Sequence, residues 1–328
     1  MRKYIIKRLL IGILIVIFGA LVVYAVVRCL PSSYVETMAR QRAAASRTMS
    51  YQQMLARLNH LYGMDCSIPV GYVKWLGSAI QGDFGESWKW GGTVVAKFKS
   101  VIGYSVLLNS ITMIVQCGIG IPLGILAARK QYSKVDYAVT IFALMGVSLP
   151  SFFLASILKF VFAVKLKLVD AEGLVGRYYN QLSPMGKVGD IAQHMILPVI
   201  VLCMLSIGGL MRYTRTNMLE VLNADYIRTA RAKGLPEKAV INHHAFRNTL
   251  IPLVTFLSYL LPSMFGGSMI TEQLFSIPGI GQAFFQSTKE GDIPFIMFYS
   301  LFIIVLTQIS LLIADLVYAA VDPRVRIS

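Results

Sequence analysis

Four histidines and four cysteines carry whatever metal or nucleophile chemistry this 328-residue chain can offer, and their spacing argues against both. His243 and His244 are adjacent, so on a helix their rings point about 100° apart. No cysteine or carboxylate nearby completes a ligand set, and a solvated pair is the simpler reading. Cys29, Cys66, Cys117 and Cys203 form no close-spaced pair; Cys117 and Cys203 lie in apolar runs and read as small buried hydrophobes. His194 is the only histidine in a long apolar run. A hydrolase buried in a membrane would need a nucleophile and a base converging there, and neither His-Glu-x-x-His nor Gly-x-Ser-x-Gly occurs. The phosphate-cradling Gly-x-x-x-x-Gly-Lys-Ser/Thr loop is also missing, so ATP chemistry would have to come from another chain. No catalytic residue and no metal ligand is assigned.

The elements that would position any site follow from composition. Hydrophobic residues make up 56% of the chain and charged ones 14%, against about 25% charged in a soluble domain. Such a chain cannot cover a water-facing surface. Crossing a hydrocarbon core takes roughly 20 mostly apolar residues. Windows free of Asp, Glu, Lys and Arg reach that length at residues 9–27, 100–128, 137–158, 191–211, 248–271 and 293–314. The expectation is an all-α integral membrane protein with six transmembrane helices. The first window follows a basic start at Arg2, Lys3, Lys7 and Arg8, but it exceeds a signal core of about 7–15 residues and reads as a retained helix.

The net charge of +15 would suggest nucleic acid in a soluble chain; here its placement explains it. With the N-terminus inside, the inner segments hold 16 Lys and Arg and the short outer loops five. That bias sets orientation, so both termini are expected on the cytoplasmic side and no nucleic-acid partner is expected. Lys159, at the outer edge of the third window, is expected to snorkel. The chain divides into residues 1–100, a first span with a long outer segment, and residues 101–328, a five-helix core.

In the outer segment, residues 36–47 are polar, and Tyr51, Met54, Leu55, Leu58 and Leu61 recur at helical spacing with Gly63 as a stop. A second short helix is expected near residues 69–76, then a turn-rich loop at 82–88. The largest inner insertion, residues 212–247, places Leu219, Leu222, Tyr226 and Ala230 on one helical face. Gly234 and Pro236 then mark a stop, giving a helix at about 218–234 followed by a second at 237–247. Thr229, Ala230, Ala232 and Gly234 permit close approach by a partner, and Arg228 and Arg231 can meet an acidic rim. A basic helix resting on anionic lipid is the equal alternative.

The run Arg228-Thr229-Ala230-Arg231-Ala232-Lys233-Gly234 resembles the cytoplasmic loop of binding-protein-dependent ABC importer permeases, in its oligopeptide and dipeptide version. The resemblance extends through His244-Ala245-Phe246-Arg247-Asn248-Thr249-Leu250-Ile251-Pro252, Phe275-Ser276-Ile277-Pro278-Gly279-Ile280-Gly281 and Ala320-Val321-Asp322-Pro323-Arg324-Val325-Arg326. Residues 70–76 and 82–87 resemble the stretch that precedes the core in the same subfamily. Arg228 and Thr229 replace the Glu-Ala of the wider superfamily. After the first span Leu30-Pro31 lacks the usual Gly-Asp-Pro, and residues 35–50 are lengthened.

The resemblance implies the type I ABC importer permease fold in a bacterial cytoplasmic membrane. It implies a second homologous permease as heterodimer partner, two cytosolic ATPase subunits holding ATP and Mg, and an extracytoplasmic solute-binding protein. Tyr226, Arg228, Thr229, Ala230, Arg231, Ala232 and Gly234 would then couple to the ATPases. The expected solute is a di- or oligopeptide, with nickel or another small solute as the alternative within the family and a stand-alone channel or intramembrane enzyme as the rival class. In the fifth window, Ser263, Gly266, Gly267, Ser268, Met269 and Glu272 are candidates for the translocation pathway, against a reading of close helix packing by small residues. Glu272 and Asp315 stand at span edges, as functional acids or interfacial anchors. Residues 278–281 read as a tight outer turn or a gate-forming loop.

Overall fold

The structure, a computed structural model, describes residues 2–29, 33–45, 49–61 and 65–321. Among these, regular structure is helical apart from one isolated bridge between Glu86 and Thr93. In chain order the helices are α1 (Arg2–Arg28), α2 (Ser33–Ala45), α3 (Tyr51–Leu61), α4 (Ile68–Ile80), α5 (Val94–Arg129), α6 (Lys134–Ser148), α7 (Ser151–Leu158), α8 (Pro184–Leu222), α9 (Asp225–Ala232), α10 (Glu237–Ala239), α11 (Phe246–Tyr259), α12 (Leu261–Gly266), α13 (Met269–Leu274), α14 (Ile280–Glu290) and α15 (Ile293–Val321). Gly63 and residues 322–328 lie outside the described residues.

Five stretches are each long and apolar enough to cross a membrane: Ile5–Arg28, Val94–Arg129, Pro184–Leu222, Glu237–Leu274 and Ile293–Val317. The third apolar window departs from a straight span. Lys134–Ser148 and Ser151–Lys165 pass the test only together and are bent by 101° at the break. Pro150 is the cause: its ring excludes the preceding residue from helical geometry, and Leu149 accordingly sits at φ −89°, ψ 131°.

The chain forms two units, Met1–Gly103 with Ala283–Ile309 and Tyr104–Gln282 with Ser310–Ser328. In the first, Leu10, Leu14, Phe18, Val22 and Val26 step by four along α1 and are all exposed, an apolar stripe suited to lipid. Inward, Tyr24 packs on Tyr72 and Trp75 of α4 with ring centroids 5.9 and 6.1 Å away. The Tyr72 hydroxyl donates to the Ile17 carbonyl at 2.6 Å. The polar stretch 36–47 is helical as far as Ala45. The loop before α5 is tied down by the buried carboxylate of Asp292, which accepts from Ser87 Oγ at 2.5 Å and Trp88 N at 3.0 Å.

In the second unit α8 is the hub, and glycines set how closely its neighbours approach. A Cβ on Gly146 of α6 would fall inside contact of the Met204 carbonyl oxygen, and one on Gly208 of α8 inside that of Ala143. A Cβ on Gly124 of α5 would lie 2.7 Å from the Met211 carbonyl oxygen. Close approach of this kind replaces the hydrophobic drive that lipid cannot supply. At one end of the seam Arg215 grips Asp136 through two hydrogen bonds of 2.7 Å each, a bidentate pair that fixes geometry as well as charge. The Lys159 ammonium donates to Glu172 at 2.6 Å and to the Leu274 carbonyl at 2.9 Å, which holds the Glu172 carboxyl below the ordinary glutamate range, chiefly by hydrogen bonding.

Candidate functional site

Two features of the second unit gather the candidate residues. The first is α9. It is shorter and later than the helix expected at 218–234, because α8 runs on to Leu222 and Ala224 breaks the path in extended geometry at φ −73°, ψ 149°. Asn223 closes α8 by donating its side-chain amide to the Leu219 carbonyl at 2.9 Å. The face assembled from Leu219 to Ala230 therefore belongs to two helices. In α9 itself Ile227 and Ala230 are buried, against Met218 of α8 and Val240, Ile241 and Ala245 beyond α10.

The C-terminus of α9 is a two-bond lock. Gly234 N donates to the Arg231 carbonyl at 2.9 Å and Leu235 N to the Ala230 carbonyl at 3.4 Å, the Schellman pattern. It places Gly234 at φ +74° with open space where a Cβ would stand. Next, residues Val240–Ala245 form a π turn in place of an ordinary helix at 237–247. Val240, Ile241 and Ala245 all face inward from it, gathered into a narrower arc than α-helical spacing would give them.

Of the residues expected to meet a partner at this protrusion, Tyr226, Arg228, Thr229, Arg231, Ala232 and Gly234 are exposed. Ala230 is turned into the core and is unavailable to a partner. Arg231 is already engaged, bidentate with Glu237 at 2.8 and 3.1 Å, which raises its pKa. Arg228 lies 3.6 Å from Asp225, both side chains open to solvent. Partial burial raises the Tyr226 phenol above its ordinary value, with the Glu220 carboxylate adding to it.

The second feature is a cavity of about 380 Å³ walled by α5, α8 and the α11–α13 stretch. Ser263 and Ser268 line it, as does Met264. Gly266, Gly267, Met269 and Glu272 do not. Gly267 is the break between α12 and α13, at φ +75°, and a Cβ there would press on Gly281 N at 2.6 Å.

Glu272 is fully buried, which rules out the interfacial anchor. Its carboxylate accepts from Ser105 Oγ at 2.7 Å, Ser268 N at 2.9 Å and Gln282 N at 3.0 Å. Ser105 Oγ in turn accepts from Ile280 N at 2.7 Å. The turn at residues 278–281 thus wraps the acid, and the first amides of α14 point at it, as helix N-termini favour anions. Glycine is required around it: a Cβ on Gly279 would strike the carboxylate and lie 2.5 Å from Ser105 Oγ. The knot reaches the cavity through Ser268 Oγ, which donates to Asn109 Oδ1 at 2.8 Å.

Ser105, Asn109, Thr112 and Gln116 were not singled out from the sequence. The signal was available, since their 4-3-4 spacing inside the longest uncharged window defines one polar face of α5. His194, by contrast, is held between acids: Nδ1 donates to the Asp190 carbonyl at 2.8 Å and Nε2 lies 3.3 Å from Asp170. His243 is exposed and His244 half-buried, with ring centroids 5.9 Å apart. Asp315 is half-buried in α15.

Apolar helices of spanning length, glycine-notched contacts and a cavity inside the helix bundle define a multi-span membrane protein. More specifically, residues 120–327 match the family described as binding-protein-dependent transport system inner membrane component, and the chain belongs to that family. It is 36% identical over 326 residues to the oligopeptide transport system permease protein AppB of Bacillus subtilis, covering 99% of each chain. It is 36% identical over 271 residues to the dipeptide transport system permease protein DppB of the same organism, covering 82% of this chain and 83% of that one. A putative peptide permease protein of Brucella suis is 32% identical over 329 residues, the full length of both.

Proposed function

We propose that this chain is one membrane-embedded half of an ATP-driven importer that carries di- or oligopeptides across a bacterial cytoplasmic membrane. The observation that carries the reading is the end-to-end match to peptide permeases. On this reading six spans, counting the bent pair as one, place both termini and α9 on the cytoplasmic side. Residues 1–100 supply the first span and outer segment and residues 101–328 the core. The partners are a second, distinct permease, two ATPases holding ATP and Mg, and a solute-binding protein outside. The exposed residues of α9 form the ATPase contact, and ATP-driven closure is passed through it as a rigid-body movement.

The cavity supports a peptide over nickel. Its lining offers carboxamides, hydroxyls, thioethers and apolar side chains, with no carboxylate, imidazole or thiol. Divalent transition metals are held by those absent groups, whereas a peptide is neutral along its main chain.

Three outcomes test this. Co-purification in mild detergent should bring two ATPases and a second permease with the chain; a solitary, active protein would exclude the importer. Gly234→Asp should leave the protein inserted while abolishing peptide uptake, because any Cβ carries a cost at φ +74° and the new carboxylate enters the exposed end of α9, where a partner would dock. Uptake at the wild-type rate would remove α9 from the coupling role. Cysteines at Ser263 and Ser268 should react with aqueous thiol reagents during turnover, and protection in every state would move the pathway elsewhere.

A further inference from the structure

Gln116 is the residue in the cavity whose chemistry is left open. It is 6% exposed and lines the cavity midway along α5. Among the described residues no hydrogen bond holds its carboxamide, whose polar atoms are not sealed in the protein but open to the cavity. The hydroxyl protons of the wall are already committed. Thr112, Ser206 and Ser263 donate to carbonyls three or four residues back in their own helices, at 2.9, 2.7 and 2.6 Å. Asn109 uses both ends of its amide, donating to the Ser105 carbonyl at 2.8 Å and accepting from Ser268. An amide that faces the cavity and is tied to nothing inside the protein is free to pair with whatever enters it.

A carboxamide carries one acceptor and two donors in a plane. Its reciprocal partner is another amide, whose N–H and C=O it can engage together. Along a peptide that group recurs at every residue whatever the side chains are. Apolar Leu202, Leu205 and Phe256 make up the walls opposite and beside it, surfaces that discriminate weakly among side chains. We infer that Gln116 reads the main-chain amide of the solute in the cavity, a contact that recognises peptides as a class without selecting among their sequences. This rests on the cavity being the peptide pathway.

The test uses the assembled importer with its ATPases and binding protein in proteoliposomes. Uptake of a neutral tripeptide is compared with its depsipeptide, in which an ester replaces the central amide and removes one N–H. Taking the wild-type ratio of amide to ester uptake as reference cancels any preference of the binding protein. Replacing Gln116 by Leu, and separately by Met, should shrink that ratio by roughly three- to tenfold, the value of one neutral hydrogen bond. Thermal stability should be unchanged, since the amide holds no hydrogen bond within the protein. A ratio unchanged in both variants overturns the assignment of Gln116 while wild-type uptake still upholds the peptide reading. Absence of peptide uptake by the wild-type complex overturns the peptide reading and the role of Gln116 with it.

Discussion

Gly208→Ala lowers the thermal stability of the purified protein in detergent by roughly 1–3 kcal/mol, and Gly209→Ala, one residue along, does not. In a helix interior alanine is favoured over glycine by about 1 kcal/mol, so the second change is neutral or stabilising where nothing is in the way. Nothing lies within 4 Å of a Cβ on Gly209. At Gly208 the new methyl meets the carbonyl oxygen, carbon and Cα of Ala143, all backbone. A side chain can swing aside; a helix backbone must move as a whole. The displaced helix is α6, whose Asp136 is gripped by Arg215 of α8 at 2.7 Å, so the shift is resisted at the same seam. Opposite signs for adjacent glycines cannot arise from propensity or from detergent effects. Equal unfolding midpoints for the two variants would show that α6 and α8 do not meet as described.

Glu272→Ala reduces both stability and peptide uptake more than any other single change around the cavity, with Glu272→Gln intermediate. The carboxylate takes three donors and gives none. Alanine strands all three in a buried site, at about 1–3 kcal/mol each where no water enters. Glutamine keeps one acceptor oxygen but turns an NH₂ group toward at least one N–H or O–H that already donates. An acid anchored at the membrane surface would tolerate both substitutions alike, because water would replace the lost partner. Thermal unfolding and uptake by the two variants, compared side by side, separate these cases: equal and small losses would contradict the buried knot. The site also predicts its own second instance, since Gly279 leaves no space for a Cβ beside the same carboxylate.

The membrane helices were legible because their signal is summed over some twenty residues, and no local accident erases it. What escaped was set by single residues acting through backbone geometry. Pro150 turned one apolar window into two helices at 101°, though nothing in its hydropathy changes there. Asn223 and Ala224 divided a periodic run that read as one helix, because periodicity continues across a break when both pieces pack on the same core. The π turn at Val240–Ala245 was invisible for the opposite reason: it exists to bring neighbours inward that α-helical spacing would separate. At the candidate site, the glycines and serines of the fifth window read either as a pathway lining or as close helix packing, and of them Ser263 and Ser268 line the cavity. The remainder fold around Glu272, a role that depends on Ser105, 167 positions away in sequence.

At eight residues, α9 is too short to hold its helical form in water alone. Its shape is lent by Ile227 and Ala230, wedged between the end of α8 and the π turn that opens into α11. Its buried face rests on Met218 on one side and on Val240, Ile241 and Ala245 on the other. If α9 is the ATPase contact proposed above, it would act as one handle on two arms, since α8 and α11 each continue from its packing partners into a wall of the cavity.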